Sequence, residues 1–169
     1  MKNIILVGMP AAGKSTLGVV LAKKIGYGYI DSDSVIVARE GKLLCELIDE
    51  LGLDGFLEVE ANVNATITAQ RCVIATGGSA IYRRDAIEKM RENGIVVYLK
   101  LSYAEISRRL GDFSKRGVVL KDGFTLLDLY NERAPLYEEC ADYIVELDGK
   151  TIEESAECIK EKIEWGLKN

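Results

Sequence analysis

An α/β domain, with a parallel sheet and helices on both faces, is predicted by three features of the sequence. Short runs rich in Ile and Val alternate with longer stretches of helical periodicity, the pattern of strands joined by crossover helices. The first apolar run, Ile4-Ile5-Leu6-Val7, leads straight into Gly8-Met9-Pro10-Ala11-Ala12-Gly13-Lys14-Ser15. That is a phosphate-binding loop of the form G-x-x-x-x-G-K-S in the strand–loop–helix setting such loops require. Finally, the 169 residues hold two prolines, no low-complexity linker and no internal repeat, and so read as one domain over 1–169.

The elements follow in order. Strands are predicted at Asn3–Val7, Gly28–Ile30, Cys72–Ala75, Ile95–Leu99 and Tyr143–Glu146. The first helix, about Gly13–Ile25, carries Leu17, Val20, Leu21 and Ile25 on one face. Helices are then predicted at Ser34–Leu51, broken near Gly41, and at Gly55–Ala69, Arg84–Glu92, Tyr103–Leu110, Thr125–Cys140 and Ile152–Trp165. Ile87, Met90, Val96, Val97, Leu99, Leu126, Leu129, Tyr130, Ile159 and Ile163 are predicted core. The Gly- and charge-rich stretch 111–123 lacks periodicity, and loops of that length usually carry function or move.

Composition removes several function classes. The chain has no histidine, so imidazole acid–base chemistry, His-based triads and His metal sites are excluded. Proton handling falls to carboxylates, Lys, Tyr or water. With 22 basic and 27 acidic residues the net charge is −5, which offers no nucleic-acid footprint. No stretch is apolar enough to span a bilayer. The chain begins with a strand rather than a leader, and a cytoplasmic protein is expected. Cys45, Cys72, Cys140 and Cys158 form no C-x-x-C pair and read as buried reduced thiols.

Each chemical motif has a reason. Glycines let the loop backbone wrap a polyphosphate with its N–H groups inward. Lys14 reaches the outer phosphates, Ser15 ligates Mg²⁺, and the helix beginning near Lys14 adds its positive dipole end. Asp31-Ser32-Asp33 follows the second strand, and ligands of open parallel sheets bind outside the carboxyl ends of strands. One carboxylate can hold water on the Mg²⁺ shell while the other orients or deprotonates a hydroxyl. Asp and Ser also favour N-caps, so one can cap while the other acts. Ala75-Thr76-Gly77-Gly78-Ser79 ends the third strand with small residues that admit a substrate close to the backbone.

Taken together these residues resemble the shikimate kinase family, small members of the nucleoside-monophosphate-kinase-like P-loop group. The resemblance runs end to end. Beyond the phosphate loop it covers Asp31-Ser32-Asp33, Gly55-Phe56, Ala75-Thr76-Gly77-Gly78, Arg109, the Arg116 segment, Arg133-Ala134-Pro135-Leu136-Tyr137 and Asp148-Gly149-Lys150. It implies a three-layer fold with a five-stranded sheet in the order 2-3-1-4-5, a substrate-binding helical region at about 33–60 and a mobile lid at about 111–123. It further implies that ATP is bound by Gly8, Ala11, Ala12, Gly13, Lys14, Ser15 and Thr16, with Arg109 stacked on adenine and Lys150 edging the base. Ser15 and Asp31 serve Mg²⁺. Lys14, Asp33 and the lid residue Arg116 are the implied catalytic residues. Asp33, Glu60, Gly77, Gly78, Ser79 and Arg133 would line the acceptor pocket. The implied partners are ATP and a small-molecule hydroxyl, with no nucleic acid or membrane, in a monomer serving aromatic amino acid biosynthesis.

The departures point to the acceptor. Shikimate kinases typically read Phe-Arg-x-x-Glu in the third helix, where the arginine grips the shikimate carboxylate. Here the stretch is Phe56-Leu57-Glu58-Val59-Glu60. Glu60 thereby loses its neighbouring cation and is free to attract a positive group or hydroxyls of a different acceptor. Ser79 replaces the family's third glycine, and Gly117 follows Arg116 where the family has proline. The reading is ATP-dependent phosphorylation of a small-molecule hydroxyl, with shikimate as the acceptor by resemblance. The alternatives are a paralogue for another small polyol or hydroxy acid, or a non-catalytic nucleotide-binding regulator.

Overall fold

The computed structural model describes residues 2–111 and 123–168, with the side chains of 165–168 excepted. Most of the expected lid, Arg116 included, lies outside the described residues. Five strands, β1 (Asn3–Val7), β2 (Gly28–Asp31), β3 (Cys72–Ala75), β4 (Gly94–Lys100) and β5 (Tyr143–Glu146), form one parallel sheet in the order β2-β3-β1-β4-β5. The order is the one the family resemblance implies. Every residue of β1 is buried, as are the first six of β4, because these inner strands are covered on both faces.

Register places the site. Leu6 and Asp31 both pair with Ala75 across the sheet, and Val7 pairs with Tyr98. The carboxyl ends of β1, β2 and β3 therefore finish level. The phosphate loop, Asp31–Asp33 and Thr76–Ser79 leave the sheet side by side. Thr76 stitches this edge: its amide and its hydroxyl both donate to the Leu6 carbonyl, at 3.2 and 2.9 Å.

Seven α-helices complete the described residues: α1 (Lys14–Ile25), α2 (Ser32–Glu40), α3 (Leu44–Ala65), α4 (Arg84–Arg91), α5 (Tyr103–Leu110), α6 (Leu126–Cys140) and α7 (Ile152–Lys168). On α1, Leu17 and Leu21 are buried, while Val20 and Ile25 pack partly buried against the core. All the predicted core residues are buried except Tyr130, which is partly buried and donates its hydroxyl to the Leu101 carbonyl at 2.8 Å.

The middle of the chain follows expectation in outline. The predicted break at Gly41 is present, and helical backbone is interrupted again just after Leu51, where Gly52 takes φ 71° and ψ 176°. α3 is therefore a bent arm of two helical segments meeting at a kink, and the second ends at Ala65, four residues before the predicted Ala69. Ile36, Leu47, Phe56, Leu57 and Val63 form a second apolar cluster that ties α2 to α3, separate from the cluster around the sheet. The cysteines are a second correction. All are free, but only Cys140 is buried: Cys45 is exposed, and Cys72 and Cys158 are intermediate. Cys72 stands first in its strand, where cover from the helices runs out.

Candidate active site

The phosphate loop is shaped before any ligand arrives. Gly8 takes φ 152°, and a Cβ there would sit 3.0 Å from the Leu99 carbonyl oxygen, so only glycine leaves β1 this way. Ala11 and Gly13 also have positive φ, at 62° and 92°. Gly13 is the N-cap of α1 and contributes no side chain to its amides. The amides of the first turn thus remain available to an anion at the helix's positive end. Lys14 is buried and holds its ammonium inside the loop, donating to the carbonyls of Gly8 (2.7 Å) and Met9 (2.9 Å). Burial lowers its pKa to about 8, against the opposing pull of Asp33. A buried ammonium beside a nest of amides is a receptor for a polyphosphate.

Ser15 and Asp31 meet at the mouth of the loop. The Ser15 hydroxyl donates to Asp31 Oδ2 at 2.9 Å, and the Tyr29 hydroxyl donates to the same oxygen at 3.2 Å. Asp31 Oδ1 accepts the Ser34 amide at 3.2 Å and caps α2. Asp31 therefore caps and faces the loop at once, leaving Asp33 free for the cleft. A hydroxyl and a carboxylate at a phosphate loop fit Mg²⁺, a hard cation that keeps several waters and takes its other ligands from phosphate. Among the described residues no group of three or more His, Cys, Asp or Glu could hold a metal by itself.

Asp33 projects from the first turn of α2 into a cleft of about 820 Å³, lined also by Pro10, Lys14, Glu60, Gly78 and Arg133. Leu43, Leu44, Ile48 and Phe56 from the bent arm form its apolar side. Burial first, and the nearby Asp31 second, push the Asp33 pKa up. Gly77 lets two carboxylates converge: a Cβ on it would collide with Glu60 Oε1 and stand 2.9 Å from Asp33 Oδ1. Gly78 does the same for the cation opposite, since its Cβ would lie 3.0 Å from Arg133 Nη1 and 3.1 Å from Pro10 Cδ.

Glu60 is 2% exposed. Its Oε2 accepts the Ser79 hydroxyl at 2.7 Å, while Oε1 is buried without a hydrogen-bond partner. Burial raises its pKa to about 7. Arg133 is also 2% exposed. It stands on the buried stripe of α6 with Leu126, Leu129, Tyr137 and Cys140. Its Nε donates to the Tyr82 hydroxyl at 3.1 Å, and its guanidinium lies 5.1 Å from the Tyr82 ring centre. Tyr137, one turn on, donates its hydroxyl to the Gly78 carbonyl at 2.6 Å.

The remaining predicted residues lie around the loop. Gly13 faces Arg109, whose Nη1 would stand 3.8 Å from a Cβ there. Glu105 holds Arg109 through a 2.6 Å bond to its Nε. Thr16 lines the cleft. Lys150 is exposed beyond β5, and Asp148 in the same turn accepts the amide and hydroxyl of Ser102, tying that turn to the start of α5. Leu57 is buried at 6% exposure in the second apolar cluster. Tyr82, Tyr29, Tyr137 and the apolar wall carry no role in the sequence reading. Arg133 had a usable signal, a charge at an i, i+4 position on an apolar stripe. Tyr82 and Tyr137 act on partners more than fifty positions away, which no local pattern shows, whereas the partner of Tyr29 is Asp31, two residues on.

The family model for shikimate kinase matches residues 10–164. A shikimate kinase of Thermodesulfovibrio yellowstonii is 33% identical over 167 residues, 97% of this chain and 96% of that protein. The chain belongs to the shikimate kinase family. Another shikimate kinase, from Vibrio vulnificus, is 37% identical over 96% of both chains. The solved structure of Acinetobacter baumannii shikimate kinase in complex with shikimate superposes with a TM-score of 0.88 at 32% identity, covering 98% of this chain and 94% of that one. A gluconokinase from Sinorhizobium meliloti, 17% identical with a TM-score of 0.55, shares the fold.

Proposed function

We propose that this chain transfers the γ-phosphoryl group of Mg²⁺-bound ATP to a hydroxyl of a small hydroxylated acid. Shikimate, giving shikimate 3-phosphate, is the acceptor that family membership supports. The observation that carries the proposal is the convergence of a buried ammonium in a nest of amides with a desolvated carboxylate across one cleft. Phosphoryl transfer requires positioning and charge stabilisation more than covalent help. Lys14 and the amides of the loop orient the triphosphate. Ser15 and Asp31 would hold Mg²⁺, which when bound neutralises charge on the outer phosphates. Asp33 accepts the proton of the acceptor hydroxyl as its oxygen bonds to the γ-phosphorus and the bond to the β-phosphate oxygen breaks. Its raised pKa brings it closer to working pH. Arg133 pairs with the acid group of the acceptor. Arg116, outside the described residues, would complete the charge around the transferred group from the lid.

A second reading, a paralogue with another acceptor, is favoured by one observation. Leu57 leaves the arm without the cation that the family places there, and a charged hydrogen bond contributes roughly 1.5–3 kcal/mol. An ADP-release assay with ATP, Mg²⁺ and an acceptor panel headed by shikimate tests both. Acceptor-dependent ADP release supports the kinase, and the preferred acceptor chooses between the two. ATP binding with no acceptor-dependent release would reject the proposal.

A further inference from the structure

We infer that the acceptor is zwitterionic, a small hydroxy acid carrying an ammonium group that Glu60 Oε1 receives while Arg133 takes the carboxylate and Asp33 the hydroxyl. This rests on the kinase reading above and specifies its acceptor. The starting point is an orphaned atom. Glu60 is 2% exposed, and its Oε1 is buried, unpartnered and turned to the Gly77 wall of the cleft, beside Asp33 Oδ1. A buried carboxylate oxygen left unpaired is costly, and native proteins rarely leave one without a ligand, water or ion.

Among the described residues, no donor lies within hydrogen-bond reach of that oxygen. Ser79 has one hydroxyl proton and gives it to Oε2. Lys14 directs two of its three ammonium protons to loop carbonyls and makes no bond to Oε1. Arg133 donates its Nε to Tyr82 and lays its guanidinium on that ring, with no bond to Oε1. Leu57, at the i, i+3 position on the same helix and so on the same face as Glu60, has no charge and packs into the apolar cluster. The two departures from the family pattern therefore act on the same carboxylate. Ser79 secures one oxygen, and Leu57 vacates the other.

Charge sharpens the choice of ligand. The groups facing Glu60 are Asp33 from α2, Lys14 from α1, Arg133 from α6 and the neutral Ser79. Among the described residues, these two carboxylates and two cations balance around Glu60, without the surplus positive charge that an arginine at position 57 would bring. An acceptor with a carboxylate alone brings an uncompensated negative charge towards Glu60 and the triphosphate. One with both a carboxylate and an ammonium brings none, and it supplies the missing donor. The wall of Leu43, Leu44, Ile48 and Phe56 suits the carbon skeleton between these groups. Glu60, with its pKa raised to about 7 by burial, must ionise to pair with the ammonium, so binding strengthens as pH rises through that value.

The test compares acceptors that differ only in the ammonium. ADP release and ³¹P NMR are followed with L-serine, L-threonine and their longer-chain hydroxylated homologues, with the matching deaminated hydroxy acids, with glycerol and with shikimate. The expected result is a kcat/KM for an ammonium-bearing acceptor at least about tenfold above its deaminated counterpart, the size of one charged hydrogen bond. That ratio collapses in Glu60→Gln. The KM for the zwitterion falls between pH 6 and 8 in the wild type and stays flat in Glu60→Gln. Leu57→Arg, which returns a cation beside Glu60, moves preference towards shikimate. Preference for shikimate or a deaminated acid in the wild type, or a ratio unchanged in Glu60→Gln, overturns the inference and leaves the kinase standing. Absence of phosphorylated product with every acceptor overturns the kinase reading itself.

Discussion

Asp33 and Glu60 are both carboxylates of one cleft, yet their surroundings separate them. Asp33 opens on the cleft from a helix start, with Lys14 opposing the rise that burial and Asp31 impose on its pKa. As the proposed base, Asp33→Asn should lower kcat by about 10²–10⁴-fold, with ATP affinity in calorimetry nearly unchanged. Equal loss in both would remove Asp33 from the chemistry. Glu60 is the more deeply buried, and its proton is held more tightly folded than unfolded. Folding stability should therefore fall as pH rises from the ordinary value of 4.5 to about 7 and level off above. The Glu60→Gln variant lacks this loss. In urea titrations its stability relative to wild type should improve by about 2–3 kcal/mol between pH 4 and 8. An equal difference at both pH values would contradict the tight hold on that proton.

Elements matter through how they end and bend. Asp31 caps α2 while pairing with Ser15, so the start of that helix is fixed against the phosphate loop. The bend at Gly52 turns the arm so that Leu44, Ile48, Phe56 and Glu60 all line the cleft. Gly52→Ala has open space for its methyl but must hold φ 71°. It should cost about 1–2 kcal/mol through backbone strain and raise the acceptor KM more than the ATP KM. A variant with unchanged stability and kinetics would show that the bend is not needed. Gly77→Ala meets a different obstacle, since its methyl must displace the Glu60 and Asp33 carboxylates. Thermal unfolding and steady-state kinetics should show a folded protein with acceptor use depressed tenfold or more, roughly the price of one misplaced charged contact.

For the whole molecule, the level finish of three strands makes one site from segments far apart in sequence. Nucleotide binding to that site should stabilise the entire domain. Saturating Mg-ATP at about a hundred times its Kd should add roughly 2.7 kcal/mol to unfolding, visible as a rise in Tm that Lys14→Met abolishes. A Tm indifferent to ATP would argue against the phosphate loop as a nucleotide site. No helix of the described residues is long and apolar enough to cross a membrane.

Much of this was legible in the chain itself. The phosphate loop is a local code, because backbone freedom at Gly8 and Gly13 and the chemistry of Lys14 and Ser15 act within a few residues. The strands are likewise written in short Ile- and Val-rich runs, and all five lie where those runs fall. Missed were the exposure of Cys45 and the partial exposure of Cys72 and Cys158, since both depend on what packs alongside. Family pattern located Leu57 and Ser79 as departures. Only the tertiary structure joined them, because the bond from Ser79 to Glu60 spans 19 positions and the bare Oε1 is defined by what fails to reach it. Local rules decide which backbone a segment adopts, whereas burial and pairing of a charge are decided by distant neighbours that only packing brings within reach.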